Sequence, residues 1–235
     1  MTMLSIVNTV QRRLGLDVST TVAGNADDTT TQLLALLNQA GEEYAEVYTW
    51  QALIKEAIFT TLATINQGAI ATIAPGIGHI LNGTIWNRTL NRPVVGSLSA
   101  TDWQRMISSS VSGPVSEYRI KGGLLLFIPA PVAGNTCAFE YKTLNWATDT
   151  TGATGKSAFT VDTDVSLLNE AMLVLSLMWR FKQAQGLDFA TELQMYENRL
   201  TNEMARDGGK PTLYMDGSSG SFSAGVVIPE GNWTP

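Results

Sequence analysis

The stretch LLNEAMLVLSLMWRF, residues 167–181, decides the fold. Its apolar residues are spread over nearly every face of a helix, so the spacing predicts a helix that neighbouring segments or subunits must cover. Asp164 is a suitable N-cap ahead of it, and Gly186 is a stop behind it. Within it, the run from Ala171 to Trp179 is far shorter than the ~20 residues that cross a bilayer. A core helix is expected, and no membrane partner.

Outward from this helix, the pattern recurs at both ends of the chain. Leu4, Val7, Val10 and Leu14 fall at helical spacing and stop at Gly15, while Leu33, Leu37, Ala40, Tyr44 and Val47 share one face of a second helix reaching about Gln51. A fourth helix is expected from near Asp188, with Phe189, Leu193, Tyr196, Leu200 and Met204 aligned before Gly208, Gly209 and Pro211. Between Ala57 and Asp162 the period changes to short β-branched and aromatic stretches broken by Gly, Pro and Asn. The expected strands are Ile58–Ile65, Ile80–Leu90, Tyr118–Ile128 with a hairpin at Gly122-Gly123, and Thr136–Trp146. Ser99, Asp102 and Trp103 mark a short capped helix among them.

The fold class is therefore α+β: a helical bundle built from both chain ends, with a β-rich antiparallel insertion and an extended C-terminal arm. The boundaries are residues 1–56 and 163–209 for the two parts of the bundle, 57–162 for the insertion and 210–235 for the arm. The arm is rich in Gly, Ser and Pro, yet it holds Tyr214, Phe222, Val226, Val227, Ile228 and Trp233. That many large apolar residues are unlike a merely solvated tail, so they are expected to bind a partner, the alternative being an arm that folds back over its own domain.

Composition excludes several chemistries. The chain has 235 residues, 44% of them hydrophobic, and a net charge of −6. Broad grip on nucleic acid needs clustered Lys and Arg, so any contact with DNA is expected to be passing. The single cysteine, Cys137, forms no internal disulfide, and with the one histidine, His79, it is too few for a zinc set. Gly155-Lys156-Ser157 imitates the end of a phosphate-binding loop, but Thr150 stands where the first glycine is required and no helix follows. Lys156 is read instead as part of a flexible Thr/Gly loop. Asp162 and Asp164 are turn and cap residues, and Glu42-Glu43 lie on a solvated helix face. No cofactor, no metal and no catalytic residue are expected.

One block carries an arginine-tryptophan cluster: in Thr84–Pro93, Arg88 and Arg92 follow Trp86 and Asn87. Such residues suit a partner contact through stacking and bidentate hydrogen bonds, and equally suit an ordinary sheet surface.

That block, with Trp50-Gln51 closing the second helix, the hairpin Tyr118–Gly123, the strand Phe139-Glu140-Tyr141 and the run Arg206–Pro211, resembles the head-to-tail adaptor (connector) proteins of tailed bacteriophages. The resemblance covers the chain to about Pro211. It implies a structural protein of the virion, placed at the head-tail junction and assembled in the host cytoplasm. It further implies a homo-oligomeric ring, commonly of twelve copies, bound to the portal protein and to a tail nozzle or tail hub protein, with genomic DNA passing through its lumen. The family has no active site. The alternatives are a tail nozzle or tube ring protein, an enzyme with two carboxylates converging in the insertion, and a carbohydrate-binding module using Trp86, Trp103 and Trp146.

Overall fold

The computed structural model describes residues 1–109 and 116–208. The chain opens with α1 (Met3–Leu14), α2 (Asp28–Val47), β1 (Ile54–Thr60), β2 (Asn66–Ala69), the single turn α3 (Ile70–Ile73), β3 (Ile77–Ile80) and β4 (Trp86–Asn87). It continues through β5 (Arg92–Pro93), β6 (Val95–Gly96), α4 (Ala100–Ser109), β7 (Glu117–Lys121), β8 (Leu124–Ile128) and β9 (Thr136–Thr143). The last elements are β10 (Ala147–Thr148), β11 (Gly155–Lys156), β12 (Val165–Ser166), α5 (Glu170–Ala184) and α6 (Ala190–Asp207). The class is mixed α+β. The arm expected over 210–235 lies outside the described residues.

Helix α5 packs against α1, α2 and α6. Met172, Leu173, Val174, Leu175, Leu177 and Phe181 are buried on it, as the all-round apolar pattern requires. They share one core with Met3, Ile6, Val7 and Val10 of α1 and with Leu33, Leu37 and Tyr44 of α2. Trp146, Ala147 and Phe159 join the same core, so the chain from about Trp146 onward packs with the helices and not with the two larger sheets. Gly41 is what lets α2 approach Trp146: a Cβ at that position would stand 2.2 Å from the indole ring.

Asp164 does not cap α5. The helix begins six residues later, where Asn169 accepts a hydrogen bond from Ala171 N. Asp164 is fully buried and organises the preceding turn instead: it accepts from Lys156 Nζ at 2.7 Å, Thr160 N at 2.8 Å and Val161 N at 3.0 Å. A carboxylate caps a tight turn by the same geometry with which it caps a helix, and here the tertiary core decides between them. Lys156 is therefore anchored, contrary to the flexible loop expected for it. Asp162 also serves a turn, accepting from Val22 N and Ala23 N at 2.9 and 2.8 Å.

A second core lies between two sheets. In the first, β1, β9, β4 and β5 run in that order, with β3 also paired to β9; in the second the order is β2-β8-β7-β6. Ala57, Cys137, Phe139 and Tyr141 of the first sheet meet Tyr118, Leu125 and Phe127 of the second. Phe59 stands edge-on to both Phe127 and Phe139, at 6.0 and 6.1 Å between ring centroids. The hairpin of β7 and β8 turns at Gly122 and Gly123, whose φ values of 59° and 74° are what a two-residue turn with both central residues left-handed demands.

Four expectations shift. The second helix ends at Val47, and the first strand is Ile54–Thr60 instead of Ile58–Ile65. The strand expected over Ile80–Leu90 splits into β3 and β4. The insertion is not wholly antiparallel, since β6 runs parallel to β7. The connection between them contains α4 and is long enough for the crossover that parallel pairing needs.

Candidate functional site

The outer face of the first sheet is where the arginine-tryptophan block sits. Successive strand residues point to opposite faces, so pairing register states which side chains share a face. Glu56 stands directly opposite Glu140, Ile58 opposite Ala138, and Ala138 opposite Trp86 in turn. Alternate residues, Ala57, Cys137 and Phe139, are buried in the core between the sheets, which leaves Glu56, Ile58, Trp86 and Glu140 on the outer face. Ile58 is 57% exposed and Trp86 38%.

The loop after β4 is clamped to β9. Arg88 N donates to Thr136 O at 2.8 Å, Thr136 N donates to Thr89 Oγ1 at 2.9 Å, and the buried Asn87 accepts from Leu90 N at 3.0 Å. On the other side of β4, Glu140 N donates to Thr84 Oγ1 at 3.2 Å. The guanidinium of Arg88 pairs with Glu56, crossing the sheet face. The result is a concavity of about 480 Å³ lined by Glu56, Gly83, Thr84, Trp86, Arg88 and Glu140, among others, with the small Ala138 in its lining.

Arg92 stands opposite Asn87 in β5, while Trp86, the outward residue, stands opposite Pro93. Of the remaining partner-binding candidates, Tyr214, Phe222, Val226, Val227, Ile228 and Trp233 lie outside the described residues. Glu56 and Glu140 were not singled out from sequence, because 84 residues separate them and only the β1–β9 register makes them neighbours.

A larger open groove of about 810 Å³ lies between α1, the start of α5 and one side of α6. Arg13, Arg199 and Arg206 line it with Met195. Arg199 is 3.9 Å from Glu203 one turn away, a distance that leaves its charge largely to solvent.

The residues weighed for chemistry stand apart from both surfaces. His79 lies in β3 opposite Lys142, and burial pushes the Cys137 thiol up to about 11. Glu43, on the helix face, is drawn into a pair with Arg180 at 2.5 Å, and Arg180 also lies over the Trp179 ring at 4.3 Å. Trp103 and Trp146 are 3% and 1% exposed, so of the three indoles weighed for carbohydrate only Trp86 faces solvent. Among the described residues, no group of three or more His, Cys, Asp or Glu could hold a metal ion, and no helix is long and apolar enough to cross a membrane.

A family model described as SU10 adaptor protein matches residues 1–218. No curated protein matches the chain.

Proposed function

The chain belongs to the SU10 adaptor protein family, a family of bacteriophage structural adaptors, and on that premise we propose that it is the head-to-tail adaptor of its virion. In this reading copies assemble into a ring, commonly of twelve, between the portal protein and a nozzle or hub protein of the tail, and the ring lines the channel through which DNA passes. The observation that carries the proposal is the family match, which takes in both cores. The net charge of −6 supports it, since an acidic lining repels phosphate and lets DNA slide. The apolar residues of 210–235 supply a docking segment for the portal.

The test is co-sedimentation of the full chain with purified portal, beside a version lacking Lys210–Pro235. Stable complex formation by the full chain, lost on truncation while the native melt is kept, is the expected result. Failure to bind portal, together with binding to isolated tail proteins, would assign the chain to the nozzle.

A further inference from the structure

We propose that the concavity on the outer face of the first sheet is a receptor for a basic side chain, with arginine the best fit, carried on an exposed segment of a partner protein. The argument begins with charge. Glu56 and Glu140 are directly opposite in an antiparallel ladder, an arrangement that destabilises a sheet because like charges are held a few ångströms apart. Arg88 relieves one of the two by pairing with Glu56. Glu140 is exposed, and no ion pair to it exists among the described residues. The site thus holds one uncompensated negative charge at a position where the fold pays for keeping it.

Shape and polarity make the same choice. Trp86, one strand over from Glu140, lines the same concavity, and a guanidinium that reaches the face of an indole gains cation–π attraction. Ala138, opposite both Ile58 and Trp86, is the smallest side chain of that row and leaves room for an incoming one. A planar guanidinium can donate two parallel hydrogen bonds to Glu140, neutralise its charge and gain cation–π attraction to Trp86, a combination that a neutral or anionic group cannot supply. Ile58, 57% exposed on the same face, suits an apolar residue next to the arginine.

A catalytic use of the two carboxylates is a poorer fit. A general acid of a glycosidase needs a carboxyl kept protonated by an apolar pocket, and the side chains of Glu56 and its partner Arg88 are 45% and 49% exposed. Carboxylates on an open, solvated sheet face have no such pocket and suit a cationic partner instead.

The experiment uses the full chain, labelled with nitrogen-15, and titrates it with N-acetyl-arginine amide while following the Trp86 indole N–H, assigned with Trp86→Phe, and the amides of Ala138 and Glu140. The expected result is a saturable shift at these three signals. The citrulline analogue, which keeps the shape and lacks the charge, gives none. Glu140→Gln weakens the binding by about tenfold, the effect of losing a charge-assisted pair worth roughly 1.4 kcal/mol, and leaves the rest of the spectrum unchanged. Absence of a saturable shift, an equal response to citrulline, or an unaltered affinity in Glu140→Gln overturns the proposal. Because the probe is a single amino-acid derivative, its failure leaves the adaptor reading standing, and failure of portal binding leaves this one standing.

Discussion

Replacing Asp164 by Asn keeps the shape of a fully buried side chain and removes its charge. The carboxylate accepts from Lys156 Nζ on one oxygen, and from Thr160 N, Val161 N and the Thr160 hydroxyl on the other. Whichever way the new amide is turned, its NH2 faces either an ammonium or two backbone donors. Breaking a buried ion pair by removing one partner costs about 3–5 kcal/mol. The Lys156 side chain is 24% exposed and can rehydrate in part, which places the expectation near the low end of that range. A loss of roughly 3 kcal/mol corresponds to about 6–12 °C in Tm for a chain of this size. Lys156→Met should cost less, ~1–2 kcal/mol, because three donors to the carboxylate remain. The acid limb of stability gives an independent check. Burial alone would raise the Asp164 carboxyl, but the bonds from Lys156 and the backbone amides outweigh it, so the group ionises below the ordinary carboxylate range. With the folded value depressed below an unfolded value near ~3.9, the contribution is complete above that pH and is lost as pH falls through the folded value. Urea melts from neutral pH down to about pH 3 should therefore show wild type and Asp164→Asn converging as acid is added. A variant within about 0.5 kcal/mol of wild type at neutral pH, or a Lys156→Met more damaging than Asp164→Asn, would refute the reasoning.

Gly41→Ala drives a methyl into the Trp146 ring, and overpacking of this kind costs about 1–3 kcal/mol or more. Urea melts should show that loss, with Trp146→Phe in the same chain restoring part of it. Arg180→Ala removes the bond to Glu43, the contact with the Trp179 ring and the packing of a nearly buried stem, so a loss of roughly 2–3 kcal/mol is expected in the same assay. Cys137 is buried, with its thiol pushed up to about 11, so a disulfide reagent at about pH 8 should react with the native chain only as fast as the chain unfolds; rapid labelling without denaturant would contradict the core between the sheets.

What could be read in advance was whatever depends on local periodicity. Helix α5 was legible because its apolar residues saturate a 3.6-residue repeat, and the β7–β8 hairpin because Gly122-Gly123 interrupts an otherwise alternating run. Asp164 was misread because the residues around it carry the cap signal and only tertiary packing says what is capped. Lys156 looked mobile among Thr and Gly residues, yet its partner is eight residues on, at a fully buried position. The first strand was misplaced by four residues since β1 is an edge strand with Lys55, Glu56, Ile58 and Thr60 exposed, and burial patterns fade where one strand neighbour is missing. At the outer face the sequence offered Trp86 and Arg88 but could not say that Glu56 answers Arg88 or that Glu140 has no ion pair among the described residues, because those facts depend on register.

The joint between the two cores is built from two chain crossings and a small set of hydrogen bonds. The chain crosses between them at Trp50–Ile54 and again at Thr143–Trp146, so no single backbone rotation can swing one core about the other. The first crossing is pinned by Trp50, whose indole N–H donates to Tyr44 O at 2.7 Å, and by Asp207 at the end of α6, which accepts from Gln51 N at 2.8 Å. Near the second, Lys142 of β9 is buried with its ammonium toward Glu46 O of α2, and burial draws its ionisation below the ordinary lysine range. A buried lysine at a seam costs stability that an apolar residue would not. It also directs a donor at the Glu46 carbonyl, which an apolar residue cannot do, and so ties β9 to α2 at that point.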